Sequence, residues 1–161
     1  MKKIHLLIGL PGSGKSFWLK EHAIQQFVLD DISQTDPTLQ KLKAMMHDSS
    51  VSDIWISDVN FCNFQTLQKA LINLQNIQKK ESILFYFLLF KTPIDICREN
   101  VQTRRTFDER WVNPTIDIFS KTIEKTFSKI EKNFEPSTIL SLPWNQRIQN
   151  KTPDNQTSFI K

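Results

Sequence analysis

Glycine is scarce in this chain, with three residues among 161, and cysteine is scarcer still, with two. Cys62 and Cys97 form no C-x-x-C pair, and neither the cysteines nor the histidines cluster, so no zinc-site spacing is present. Both thiols read as small buried hydrophobes in a reducing compartment. Long apolar runs are missing as well. The longest, Ile83 to Phe90, is far too short to cross a bilayer. The apolar stretch near the N-terminus is interrupted by Pro11 and Gly12, so no secretory signal is expected and the expected location is cytoplasmic. Internal repeats, low-complexity blocks and composition shifts are absent. The expectation is one domain over residues 1–145 and a polar tail over 146–161; the stretch from Pro143 on is polar with two prolines, which favours partial disorder.

Charge of one sign does not dominate: the net charge is +4 and the pI about 9.1. It is unevenly placed. Residues 1–60 hold six Lys/Arg against seven Asp/Glu, and residues 61–161 hold fifteen against ten. A basic second half suits a polyanionic partner, nucleic acid included, and equally suits a solvated surface.

What the chain does have is concentrated in Gly9-Leu10-Pro11-Gly12-Ser13-Gly14-Lys15-Ser16, which contains all three glycines and fits G-x-x-x-x-G-K-[ST] without mismatch. Its context is right. Ile4 to Ile8 is an apolar run fit for a buried parallel strand, and Phe17 to Ile24 has helical spacing in the pairs Leu19/Ala23 and Phe17/Ile24. Glycines permit backbone torsions that turn consecutive N–H groups towards phosphate oxygens, and the following helix adds its positive dipole end. Lys15 offers a mobile cation for the outer phosphates, and the Ser16 hydroxyl a hard ligand for Mg²⁺. This is the pattern of a nucleoside-triphosphate site, with ATP and Mg²⁺ as the implied ligands.

Further along, Phe27 to Leu29 reads as a short strand ending in Asp30-Asp31, at the sheet edge where ligands bind in doubly wound folds. Pro37 to His47 reads as a helix with Leu39, Leu42, Met45 and Met46 on its core face. Val51 to Asp58 is a third strand ending in an acid. Asp58 suits holding the metal or its waters, with capping of the next helix as the alternative; Asp53 is expected at the strand's exposed entrance. Phe64 to Lys79 is a helix with Leu67, Leu71, Leu74 and Ile77 near a 3.6 period. Ser82 to Phe90 reads as a central buried strand.

Pro93 is expected in the first turn of a helix with Thr92 as its cap, running through Ile96, Arg98 and Val101 to Arg104-Arg105. Thr106 to Asn113 is polar and loop-like. Pro114 is expected to start a long helix to Asn133 with Ile116, Ile118, Phe119, Ile123, Phe127 and Ile130 facing the core, and Ser137 to Leu142 a fifth strand. The β-α alternation implies an α/β fold: a mostly parallel five-stranded sheet with helices on both faces.

Such a constellation suffices for phosphoryl transfer, where catalysis is mostly positioning and cationic stabilisation. Asp30 or Asp31 is the candidate general base, with helix capping as the alternative, and Arg104 the candidate γ-phosphate arginine. Met1-Lys2-Lys3-Ile4, the phosphate loop, Asp30-Asp31, Ile56-Ser57-Asp58-x-Asn60, Pro93 followed by Arg104, and Ile116-Asp117-Ile118 together resemble the kinase domain of the bacteriophage polynucleotide kinases. The resemblance spans the P-loop kinase fold end to end in motifs. It implies transfer of the γ-phosphate of ATP to the 5′-hydroxyl of DNA or RNA, with Asp30 as base, Lys15 and Ser16 on phosphate and Mg²⁺, and Arg104 as lid arginine. It also marks two departures: Ser33 stands where the family has an arginine gripping the acceptor phosphate, and the segment between Asp30 and Asp58 is shorter. The phosphatase D-x-D motif is missing, so kinase activity alone is implied. Three functions stay open: a polynucleotide 5′-kinase with Arg98, Arg105, Arg110 and Lys121 along the acceptor channel, a small-molecule or nucleotide-sugar kinase, and a non-catalytic nucleotide-binding module.

Overall fold

The computed structural model describes residues 1–22, 28–32, 36–77, 82–103 and 109–144, the side chains of 36 and 109–111 excepted. The tail expected over 146–161 therefore lies outside the described residues. In order, the elements are β1 (Lys2–Ile8), α1 (Lys15–Glu21), β2 (Val28–Asp30), α2 (Asp36–His47), β3 (Asp53–Ser57), a 3-10 turn (Val59–Cys62), α3 (Phe64–Ile77), β4 (Ile83–Leu89), α4 (Ile94–Gln102), α5 (Glu109–Asn133), a second 3-10 turn (Pro136–Thr138) and β5 (Ile139–Ser141). The strands form one sheet in the order β2-β3-β1-β4-β5. Every pairing in it is parallel, so the expected mostly parallel sheet is wholly so.

β1 lies at the centre because its sequence tolerates burial on both faces: Ile4, Leu6, Leu7 and Ile8 are all 0% exposed. The main core gathers Ile4, Leu6 and Ile8 with Leu42 and Met46 of α2, Leu67, Leu71 and Leu74 of α3, and Ile116, Ile123, Phe127 and Ile130 of α5. The opposite face packs Leu7, Leu88 and Phe90 against Trp18 and Leu19 of α1. Lys2, though charged, is buried because its ammonium donates to the carbonyls of Asp48 and Val51, closing the turn between α2 and β3. On α5, the hydroxyls of Thr122 and Thr126 each donate to the Cys62 carbonyl at 2.9 Å and so tie that helix to the turn after β3.

Several expectations are corrected. β4 is central only in its second half: Phe87 to Leu89 are buried, while Ile83 to Tyr86 are half-buried. β5 pairs only with Phe87–Leu89, so the first half of β4 has a strand on one side alone. Helix α5 is already formed at Glu109, and Pro114 lies inside it. The missing proline N–H forfeits one bond near the helix start, and the packing of Val112 against the core carries the helical face one turn earlier than Pro114. Ile118 is 62% exposed because two residues along a helix rotate it about 200° away from Ile116. Pro93 rather than Thr92 occupies the N-cap position, and Ile94 opens α4. No helix among the described residues is long and apolar enough to cross a membrane.

Candidate functional site

The parallel sheet sends the loops after β1, β2 and β3 to one edge, and there they meet. A cavity of about 310 Å³ is lined by Pro11, Gly12, Ser13, Gly14, Lys15, Ser16, Asp31, Val59, Val101, Val112 and Thr115. Its volume falls within the range of small-molecule sites. Six residues of the motif thus form one wall. Two torsions in it need glycine: Gly12 has φ +77° and Gly14, which precedes α1, has φ +93°. At Gly12 space forbids a side chain too, since a Cβ would lie 2.2 Å from the Cys97 carbonyl oxygen. Gly9 is a packing residue instead, its Cβ position lying 2.6 Å from Ser13 Oγ and 2.8 Å from Phe90 Cβ.

The Lys15 ammonium donates to the carbonyls of Gly9 at 2.6 Å and Leu10 at 3.0 Å and reaches Ser13 Oγ at 3.5 Å. These bonds hold the cation against its own loop, beside the cavity. Ser16 is exposed on the cavity lining, where its hydroxyl is open to a ligand.

The acids separate into three roles. Both Asp31 and its neighbour Asp30, the last residue of β2, are exposed, but only Asp31 is among the cavity's lining residues. The backbone explains the difference: Asp31 has φ +52°, a left-handed turn directly after the strand, with its N–H bonded to the Ser57 carbonyl at 3.0 Å. Burial pushes the Asp31 carboxyl above the ordinary aspartate range, the nearby charges of Asp58 and Asp30 push the same way, and Lys15 opposes them. Asp58 is 1% exposed, and its Oδ1 accepts from the backbone N–H and the side-chain amide of Asn60, each at 2.9 Å. It therefore caps the turn that begins at Val59, the alternative role seen in its sequence position, while standing close enough to Asp31 to raise it.

Arg104, Ser33 and Arg105 lie outside the described residues, as does the side chain of Arg110. Arg98 is partnered with Asp117 rather than aimed at the cavity, and Lys121 is exposed on α5 away from the lining. Asp53 is partly exposed at the start of β3, as expected, and is paired with His5 at 2.8 Å.

Sequence reasoning missed the opposite wall. Val59, Val101, Val112 and Thr115 come from three separate elements, and nothing in their local pattern distinguishes them from core residues. It also missed two side chains that grip the loop from behind. Thr92 Oγ1 donates to the Ser13 carbonyl at 2.9 Å, and Asn100 Nδ2 to the Gly12 carbonyl at 2.8 Å. Cys62 is buried beside the loop and accepts from the Gly9 N–H; burial lifts its thiol to about 11, which makes it inert. Among the described residues no group of three or more His, Cys, Asp or Glu side chains forms a metal cage. The pattern that remains is a glycine-bearing loop with a lysine, a serine hydroxyl and one carboxylate facing a common space. No protein-family model matches the chain, and no curated protein matches it.

Proposed function

We propose that this chain is a P-loop kinase that transfers the γ-phosphate of ATP to a hydroxyl, with the 5′-hydroxyl end of DNA or RNA as the acceptor. The observation that carries this is the convergence of Lys15, Ser16 and Asp31 on one cavity, from loops after two different strands. A simple nucleotide-binding module needs the loop; it has no use for a carboxylate on the same cavity whose proton affinity is raised.

In this reading the loop amides and Lys15 hold the β- and γ-phosphates. Asp31 accepts the proton of the acceptor hydroxyl as that oxygen bonds to the γ-phosphorus and the bond from phosphorus to the ADP oxygen breaks. Asp31 takes the base role that the family resemblance gives to Asp30, because it is Asp31 that lines the cavity. The donor set fits Mg²⁺: Ser16 Oγ and the Asp58 carboxylate are hard oxygens, and two crowded carboxylates, Asp31 and Asp58, are a field that a divalent cation relieves. Ser16 would hold the ion directly and Asp58 directly or through its water; when bound, the ion neutralises charge on the phosphates.

A small, uncharged acceptor is the alternative. The apolar wall of Val59, Val101 and Val112 and the pairing of Arg98 with Asp117 favour it. Transfer of label from γ-labelled ATP to hydroxyl-ended DNA, RNA, nucleosides and sugars decides between them, with Lys15→Ala as the control. Label on 5′-hydroxyl ends supports the first acceptor, and label on nucleosides or sugars alone supports the second. If no acceptor is labelled, or if Lys15→Ala works as well as wild type, the kinase assignment fails.

A further inference from the structure

We infer that Asn100 is a positioning residue for the phosphate loop, acting through the Gly12 carbonyl, with Thr92 as a second strut on Ser13. This rests on the nucleotide site proposed above and adds residues that the loop motif does not contain. The difficulty it answers is physical. Gly12 and Gly14 both adopt positive φ, and residues without side chains hold such torsions only weakly. A phosphate loop works only if its N–H groups face the anion, and a peptide plane that rotates presents a carbonyl dipole of the wrong sign instead.

Two consecutive peptide planes in this loop are held from behind. Asn100 Nδ2 donates to the Gly12 carbonyl at 2.8 Å, and the Ser13 N–H on the same plane donates to the Leu10 carbonyl at 3.1 Å. That plane is fixed at both edges and frames the turn, its own N–H being spent on Leu10, so that the donors that follow it keep their direction. Thr92 Oγ1 holds the next carbonyl, of Ser13, at 2.9 Å. No cis peptide bond occurs among the described residues, so the Gly14 N–H leaves the opposite edge of that second plane. Both struts belong to the connection after β4: Thr92 precedes α4 and Asn100 lies in its last turns. The same helix abuts the loop so closely that a Cβ on Gly12 would strike the Cys97 carbonyl and lie 3.0 Å from Val101 Cγ2. Helix α4 is thus the backing plate of the loop, and Asn100 is its hydrogen-bonding contact with the glycine.

The test compares Asn100→Leu, which keeps the side chain's size and branching, removes the donor and adds no charge, with Thr92→Val and Thr92→Ser. Affinity is measured by titration with a fluorescent ATP analogue, alongside kcat, the acceptor KM and thermal melting. Loss of one hydrogen bond at the loop predicts about 10-fold weaker nucleotide binding for Asn100→Leu and for Thr92→Val, with the acceptor KM unchanged. Thr92→Ser keeps the hydroxyl and is expected within about 2-fold of wild type. Should Asn100→Leu fail to fold, Thr92→Val against Thr92→Ser decides. Unchanged affinity in the donor-less variants, or a lowered melting temperature with full affinity in the folded protein, overturns the inference and leaves the nucleotide site standing. A wild-type protein that binds no nucleoside triphosphate overturns the site and the inference together.

Discussion

At the carboxyl ends of β2 and β3, Asp31 stands near a second carboxylate, Asp58, whereas at the start of β3 Asp53 meets the imidazole of His5 at 2.8 Å. Both arrangements bring an aspartate of the same sheet towards a second titratable group, and they treat it in opposite ways. The Asp31 region crowds like charges and holds a non-glycine residue at φ +52°. The His5 region joins its carboxylate to an imidazole by a hydrogen bond and adds ring stacking, with Trp55 at 3.9 Å and Tyr86 at 5.1 Å between centroids. Unfavourable field and backbone strain are concentrated where the cavity is, and relieved where it is not. Stability alone would favour the second arrangement everywhere, which is why the proposed function gives the first a role towards a ligand.

The comparison breaks most sharply at Asp31. Replacing it by Asn is expected to lower kcat by roughly 10²- to 10⁴-fold with ATP affinity nearly unchanged. Asp30→Asn, next to it and outside the cavity, is expected to be mild. Steady-state kinetics on the two variants check this, and equal or reversed losses would return the base role to Asp30.

The strain has a thermal signature. Asp31→Gly removes both the left-handed penalty and the crowded carboxylate, so it is expected to stabilise the fold by about 1 kcal/mol while abolishing transfer. The sign with pH follows from the raised folded-state pKa. The folded chain holds that proton more tightly than the unfolded one, so the acid's contribution becomes unfavourable as pH rises past the ordinary aspartate value. The gain in melting temperature for Asp31→Gly is therefore expected to be larger at pH 7 than at pH 4. A loss at both values would refute strain at this position.

Asp58→Asn sharpens the electrostatic half of the contrast. The amide oxygen can still accept from Asn60, so the cap survives, and the like charge beside Asp31 is gone. Ionisation of Asp31 becomes easier, and the acid limb of the kcat–pH profile is expected to move to lower pH, whatever happens to its height. A limb that stays in place would show that Asp58 does not set the base.

The smallest effect is expected at His5. Burial lowers its proton affinity, outweighing the pull of Asp53, so the unfolded chain takes up a proton near pH 6.5 that the folded chain resists. Stability is then lost as pH falls below that value. His5→Phe keeps the stacked ring and removes the titration, so its stability relative to wild type is expected to rise from pH 7 to pH 5 in urea unfolding. A constant difference over that range would place the pH dependence elsewhere.

Periodicity in the residues was enough to find the strands and helices that position the site. Leu42, Met45 and Met46 do form the buried face of α2, and Leu67, Leu71 and Leu74 that of α3, because a stripe at helical spacing can be buried only one way. It misled at Pro114, where a local start signal was overridden by the packing of Val112, and at Ile118, which sits two residues from a core position. Thr92 resembled a cap because threonine before proline often is one; its hydroxyl is committed to Ser13 instead, a partner 79 residues away. Asn100 carried no signal at all.

By itself, the sequence determined the glycine loop to which the proposed function assigns phosphate, since Gly12, Gly14, Lys15 and Ser16 bring their torsions and groups together within eight consecutive residues. It also determined the parallel sheet, since apolar runs alternating with amphipathic helices have few other ways to be buried. Only the tertiary structure decided which of two adjacent aspartates faces the cavity. That choice turns on a single left-handed torsion after β2, anchored by the Ser57 carbonyl across the sheet. The valine wall and the two struts behind the loop were likewise decided there, because contacts between residues dozens of positions apart leave no periodic trace along the chain.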